Sequence, residues 1–270
     1  MSTVSAAAPS PPPPAVAPLD LHPAPGAASR TRMLAAQTGI ELRLTLRRGE
    51  SVLLTLIIPV GLLLFFGSVH VLPASAGRDI DFLVPGVLAL AVMSTAFTGQ
   101  AIATGFERSY GVLKRLGASP LPRSVLLGGK TLAVLGVEVI QVAALVAVGY
   151  ALGWHPHGSP ATVVLVLMLA TVAFSGLGLL MAGTLRAEAT LAAANGVYLL
   201  LLLIGGVVFP RDQLPGWLGT LGRALPTGAT SDALRSVLQN GTAWPGLDLA
   251  ILVAWAVGGL ALAARLFRWE

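Results

Sequence analysis

Few residues in this 270-residue sequence have the type and spacing that chemistry requires. Gly128-Gly129-Lys130-Thr131 has the ending of a phosphate-binding loop, in which backbone amides and a lysine cradle nucleotide phosphates. That loop also needs a glycine five residues before its second glycine, and position 124 is Ser; the segment moreover opens a long apolar run instead of following a strand. Lys130 therefore reads as an interfacial lysine with glycines beside it for close packing, and no ATP is expected on this chain. Ser175, in Phe174-Ser175-Gly176, would need a histidine on a neighbouring element to take its proton. The four histidines, His22, His70, His155 and His157, lie in the amino-terminal segment or at the ends of apolar runs, so Ser175 reads as a packing residue. His155 and His157 flank Pro156 with no carboxylate near them, and the chain has no cysteine, so neither a metal site nor a thiol nucleophile is expected.

Glu138 and Gln141 are harder to set aside. They fall one helical turn apart inside an apolar run, where a carboxylate costs about 3 kcal/mol on insertion scales. Two readings stand: a structural hydrogen bond to another helix with the carboxyl protonated, or a polar point on a translocation path. Asn195, Gln100 and Tyr198 are weaker candidates of the same kind.

The elements that must hold these residues are membrane helices. Hydrophobic residues make up 55% of the chain and charged residues only 11%, with mean hydropathy +0.80, against roughly 25% charged in ordinary globular proteins. The 17 Lys and Arg against 12 Asp and Glu leave no room for a nucleic-acid-binding face on so apolar a chain, and the excess reads as orientation charge. Six stretches reach the length of about 20 residues that a spanning helix needs: Val52–Leu72, Phe82–Phe106, Ser124–Leu152, Ala161–Leu185, Leu191–Phe209 and Leu247–Phe267. Pro59 can kink the first of them.

Residues 1–30, with Pro11–Pro14 in a row, read as a disordered tail that resists helix and buries no core. Residues 31–50 read as an interfacial helix, although Leu42, Leu44 and Leu46 alternate as a strand would. Residues 51–270 form the membrane domain. Thirteen Lys and Arg fall on the side of the termini and of the second-to-third connection, and four (Arg78, Arg211, Arg223, Arg235) on the other. That bias puts both termini in the cytoplasm.

Two connections stand out. Glu107 to Arg123 is short and charged, with Val112, Leu113 and Leu116 among Glu107, Arg108, Lys114 and Arg115, and with Pro120 and Pro122 forcing a bend. It reads either as a helix that docks in a partner's groove or as an ordinary basic loop. Pro210 to Gly246 places Leu214, Trp217, Leu218, Leu221 and Leu225 at helical spacing up to Pro226, and Thr230 or Ser231 is positioned to cap a second short helix. Neither is long enough to span, so two short outer helices are expected that dip into the membrane or lie on it. Gly149-x-x-x-Gly153 offers a motif for close helix approach.

From residue 33 to the end, the sequence resembles the membrane subunits of ABC-2 type transporters, most of all their daunorubicin-resistance branch. The resemblance rests on Pro85-Gly86, Glu107-Arg108, Gly111, Arg115-Leu116, Ser119-Pro120, Arg123 and Gly129-Lys130, then on Phe209-Pro210, Leu214-Pro215, Trp217, Pro226 and Asp232-Leu234-Arg235. It implies an all-α permease with six spans, an amphipathic connecting helix before the first, two re-entrant helices between spans five and six, and two such subunits on two separate ATPase chains. It also implies that Glu107, Arg108, Gly111, Lys114, Arg115, Leu116, Pro120 and Arg123 form the coupling region toward the ATPase. ATP and Mg would be bound by that partner and no cofactor by this chain. The expected seat is a bacterial plasma membrane. Aromatics at 6% provide few platforms for sugar rings, which favours a lipophilic drug or lipid over a polysaccharide as cargo, with Glu138, Gln141 and Asn195 on its path. The rival readings are a proton-coupled secondary transporter using Glu138, for which the two halves show no clear symmetry, and an intramembrane enzyme, for which convergent acids and histidines are missing.

Overall fold

The computed structural model describes residues 28–47, 49–68, 79–207 and 215–267, and no β-strand occurs among them. The helices are α1 Arg30–Arg47, α2 Gly49–Ser68, α3 Asp79–Val92, α4 Gln100–Ser109, α5 Val112–Gly117, α6 Arg123–Ala151, α7 Pro160–Thr184, α8 Ala187–Ile204, α9 Gly216–Ala224, α10 Pro226–Leu238 and α11 Gly246–Leu266. A π-helical segment, Met93–Gly99, joins α3 to α4, so that Ile80–Ser109 runs as one helix of 30 residues. Nothing in the apolar sequence there signalled the wider turn.

Five of the six expected spans are helices long and apolar enough to cross a membrane: Ile80–Ser109, α6, α7, α8 and α11. The first expected span begins as α2, a helix of 20 residues with Pro59 inside it, and its last residues, 69–72, lie outside the described part. The expected tail also lies outside up to residue 27, as do Arg78, Phe209-Pro210, Arg211, Leu214 and Arg268.

Helix α1 settles the ambiguity of Leu42, Leu44 and Leu46 in favour of a helix. Leu34, Gln37 and Leu42 pack on the glycine positions Gly128, Gly129 and Gly136 of α6, a stripe at helical spacing, while Ile40, Leu44 and Leu46 stay exposed. Helices α7 and α11 pack together most extensively, and a Cβ on Gly176 would sit 2.7 Å from the backbone carbon of Gly259, an approach only glycine permits. A long core of Val84, Leu88, Met93, Phe97, Phe174 and Leu252 runs through the middle of the bundle. A second cluster, of Leu113, Leu126, Leu127, Leu179, Ala263 and Phe267, closes the end where α4 turns into α6.

Two expectations are corrected. The second helix of the Pro210–Gly246 segment starts at Pro226 and is not capped by Thr230 or Ser231, because proline's missing N–H and fixed φ suit the first turn. It also packs inside the bundle against α3, α7 and α11, with Ala229, Ala233 and Leu234 fully buried. Gly149 and Gly153 do not form a helix-approach motif. Gly149 alone makes a close approach, to Val84 of α3 and to Trp154, whereas Gly153, at φ 81°, lies past the end of α6 and stops it.

Candidate functional site

Lys130 enters in the second turn of α6, where its amphipathic stem can lie along apolar neighbours. Its side chain is 4% exposed, and its Nζ lies 2.9 Å from Glu41 Oε1 of α1 and 2.5 Å from Glu107 Oε2 of α4. Gln37 Nε2 donates to the same Glu41 oxygen at 2.8 Å. One ammonium thus ties three elements together, where the sequence suggested a lysine reaching for headgroups. The residues of the phosphate-loop look-alike lie inside a continuous helix, so their amides are spent on the helix and their lysine on two carboxylates. They do not fit a nucleotide.

The expected coupling region divides in two. Glu107 turns inward to Lys130, and Arg108 Nη2 donates to the Leu185 carbonyl at the end of α7, so both fix the loop to the bundle. Gly111, at φ 71°, makes the left-handed turn that starts α5. Leu113 is fully buried and Leu116 packs beside it on the cluster at the ends of α6, α7 and α11. On the outward side, Tyr110, Val112, Lys114, Arg115, Pro120 and Arg123 are exposed. The result is a six-residue helix rooted by two leucines, presenting two adjacent basic residues beside an exposed tyrosine and valine.

Glu138 and Gln141 are both buried, at 4% and 3% exposed, but they serve different neighbours. Gln141 continues the Lys130 face of α6. Its Oε1 accepts from Thr95 Oγ1 at 3.1 Å and its Nε2 donates to the Thr55 carbonyl of α2 at 2.6 Å. Glu138 is rotated toward α7, where Thr171 Oγ1 donates to its Oε2. Its Oε1 has no hydrogen-bond partner among the described residues. Gln100 is 6% exposed; its Oε1 accepts from Ser175 Oγ at 2.7 Å, and its Nε2 has no partner among the described residues. Asn195 stands apart. It is exposed on α8 and donates to its own helix at Leu191, so the structure does not bring it to Glu138 or Gln141.

Between α1, α2, the π segment, α4 and α6 lies a cleft of about 440 Å³. Glu41, Glu107 and Lys130 stand at one end, Thr55 and Thr95 at the other, with Ile102, Ala103, Phe106, Val134 and Val137 along its walls. Glu41, Thr55 and Thr95 escaped sequence reasoning. A single acid in a mixed segment gives no local pattern, and the two threonines carry no signal in an apolar run. No group of three or more His, Cys, Asp and Glu suited to a metal occurs among the described residues.

Comparison with known proteins accords with this architecture. The family model described as ABC-2 type transporter matches residues 35–238. ABC transporter G family member 20 of Dictyostelium discoideum is 29% identical over 168 residues, 61% of this chain but only 23% of that much longer protein. The transport permease YvfS of Bacillus subtilis is 24% identical over 83% of this chain and 92% of its own length. The daunorubicin resistance ABC transporter permease protein DrrB1 of Streptomyces coeruleorubidus is 28% identical over 72% of this chain and 70% of its own.

Proposed function

The chain belongs to the ABC-2 type transporter family, and from that premise we propose that it is the permease subunit of an ATP-driven exporter of a lipophilic drug or lipid. The observation that carries the proposal is the α5 loop, which is rooted in the bundle by Leu113, Leu116 and Arg108 and presents Lys114 and Arg115 outward. A helix held so firmly at its base transmits a push on its outer face to the ends of α6, α7 and α11. An ABC ATPase subunit, on a separate chain and carrying ATP and Mg, docks there. A second permease subunit completes the assembly in a bacterial plasma membrane, with both termini cytoplasmic, as the distribution of Lys and Arg supports. The chain itself is not a catalyst. ATP binding drives export only to the extent that the ATPase prefers one arrangement of the permease over the other, since a ligand shifts an equilibrium by its differential affinity alone.

The test is a pull-down of the tagged chain from detergent-solubilised native membranes, with ATPase activity assayed on what is retained. Recovery of a nucleotide-binding subunit with the wild type, and its loss on Lys114→Glu with Arg115→Glu while membrane insertion is unchanged, supports the reading. A chain that purifies alone, without ATPase activity, overturns it.

A further inference from the structure

The cleft beside Lys130 has a chemistry that the coupling role does not use. At one end two carboxylates, Glu41 and Glu107, face a single ammonium, which leaves the described residues lining that end with a formal excess of one negative charge. The two carboxylates are 13% and 17% exposed, so they remain within reach of the cleft while Lys130 is sealed behind them at 4%. Along the second span the lining runs from Thr95 to Tyr110, roughly 20 Å at the 1.5 Å rise of a helix, so the space is long, with its charged groups at one end and apolar walls between. The size falls within the range of small-molecule sites, roughly 300–1,000 Å³, and mostly apolar walls with a few polar groups are their usual lining. Gln100 lines the same space, deeply buried, with an Nε2 that has no partner among the described residues.

We propose that this cleft is a binding site within a single subunit for an amphipathic monocation of drug size, its cationic group at Glu41 and Glu107 and its apolar body along Ile102, Ala103 and Val134. The inference rests on the transport reading for its biological sense and narrows it, since an anionic lipid would meet the excess negative charge while a lipophilic cation is drawn by it. Lys130 acts as a limit on the charge, because without it two carboxylates would share the site.

The experiment uses the full chain in neutral-lipid nanodiscs and measures retention of tetraphenylphosphonium and of tetraphenylborate, ions of matched shape and opposite charge, by equilibrium dialysis. With the retention of protein-free nanodiscs subtracted, because the dipole potential of the bilayer itself favours the borate, the expected result is preferential retention of the phosphonium by about tenfold or more, the size of one charge interaction at a partly exposed site. Ala103→Trp, or Val134→Phe from the opposite wall, fills the cleft without touching a charge and abolishes that retention, with the unfolding temperature reporting that the protein is folded. Glu107→Gln reduces the preference while leaving Lys130 paired with Glu41. Equal retention of both ions, or cation binding unchanged by either filling variant in folded protein, overturns the site. ATPase capture is scored separately on the same preparations. Capture without selective cation binding removes the site and keeps the transport reading, and selective binding without capture does the reverse.

Discussion

Lys130 and Glu138 are buried ionisable groups on the same helix, eight residues and about 12 Å apart along its axis, and the bundle treats them in opposite ways. Lys130 is matched by two carboxylates from two other helices and by nothing less than a charge. Glu138 receives one threonine hydroxyl and keeps an oxygen without a partner among the described residues. The first arrangement fixes α1, α4 and α6 in register, because an ammonium removed from water is stable only if its charge and hydrogen bonds are answered. The second fixes little, since a single hydrogen bond contributes about 1 kcal/mol. The end of the bundle where the α5 loop emerges is therefore built on charge, and the middle of the bundle on weak polar contacts between small residues.

The largest expected effect follows from removing the charge at the first site. Lys130→Met leaves Glu41 and Glu107 facing each other without their cation, and breaking a buried pair in this way costs about 3–5 kcal/mol. Thermal unfolding in detergent measures it, and α1 should detach first, which protease sensitivity near Arg43 and Arg47 would report. The triple change Glu41→Gln, Glu107→Gln, Lys130→Met sharpens the point by recovering much of the loss, since no uncompensated charge remains. A triple variant as unstable as the single one would show that packing, not charge, holds this end.

A smaller effect is expected at the second site. Thr171→Val removes the hydroxyl that serves Glu138 Oε2 and leaves both carboxyl oxygens without a partner in the described structure, at a cost of about 1–3 kcal/mol. Because α7 is also locked to α11 through Gly176 and Gly259, the loss should appear as a lower unfolding temperature without a change of fold. A loss as large as that of Lys130→Met would erase the contrast between the two sites.

How much of this could be read in the sequence follows the same division. Apolar length made most of the spans legible: α6, α7 and α11 begin and end within one residue of expectation, whereas α8, expected over Leu191–Phe209, runs from Ala187 to Ile204. The α5 loop was legible as a charged helix between prolines, but not that Glu107 and Arg108 point back into the bundle, because a contact 23 residues away with Lys130 leaves no local pattern. Helix α10 was misplaced at its start, since Pro226 can end one helix or open the next and only the packing of Ala229 and Leu234 decides between them. Glu138 and Gln141 looked like a pair because they lie one turn apart, yet the 100° that each residue adds around a helix aims them at different neighbours. Side chains that meet across the bundle, such as Thr95 with Gln141 or Ser175 with Gln100, depend on the register between helices, and in apolar runs no residue announces it.

The smallest expected effect is the most useful for mechanism. Glu138→Gln retains an acceptor for the Thr171 hydroxyl and exchanges the unpartnered oxygen for an amide, so stability should change by less than about 1 kcal/mol. If the permease is driven through α5 by an ATPase, export by Glu138→Gln should persist in ATP-loaded vesicles and remain insensitive to a protonophore, because no proton has to pass through this carboxyl. If protons drive transport, an embedded carboxyl is the group that must bind and release them, and its amide abolishes transport while the protein stays folded. ATP-dependent export that is intact in the amide variant places Glu138 with the structural contacts of the bundle, and export that disappears with it moves the energy source from the α5 loop to the middle of α6.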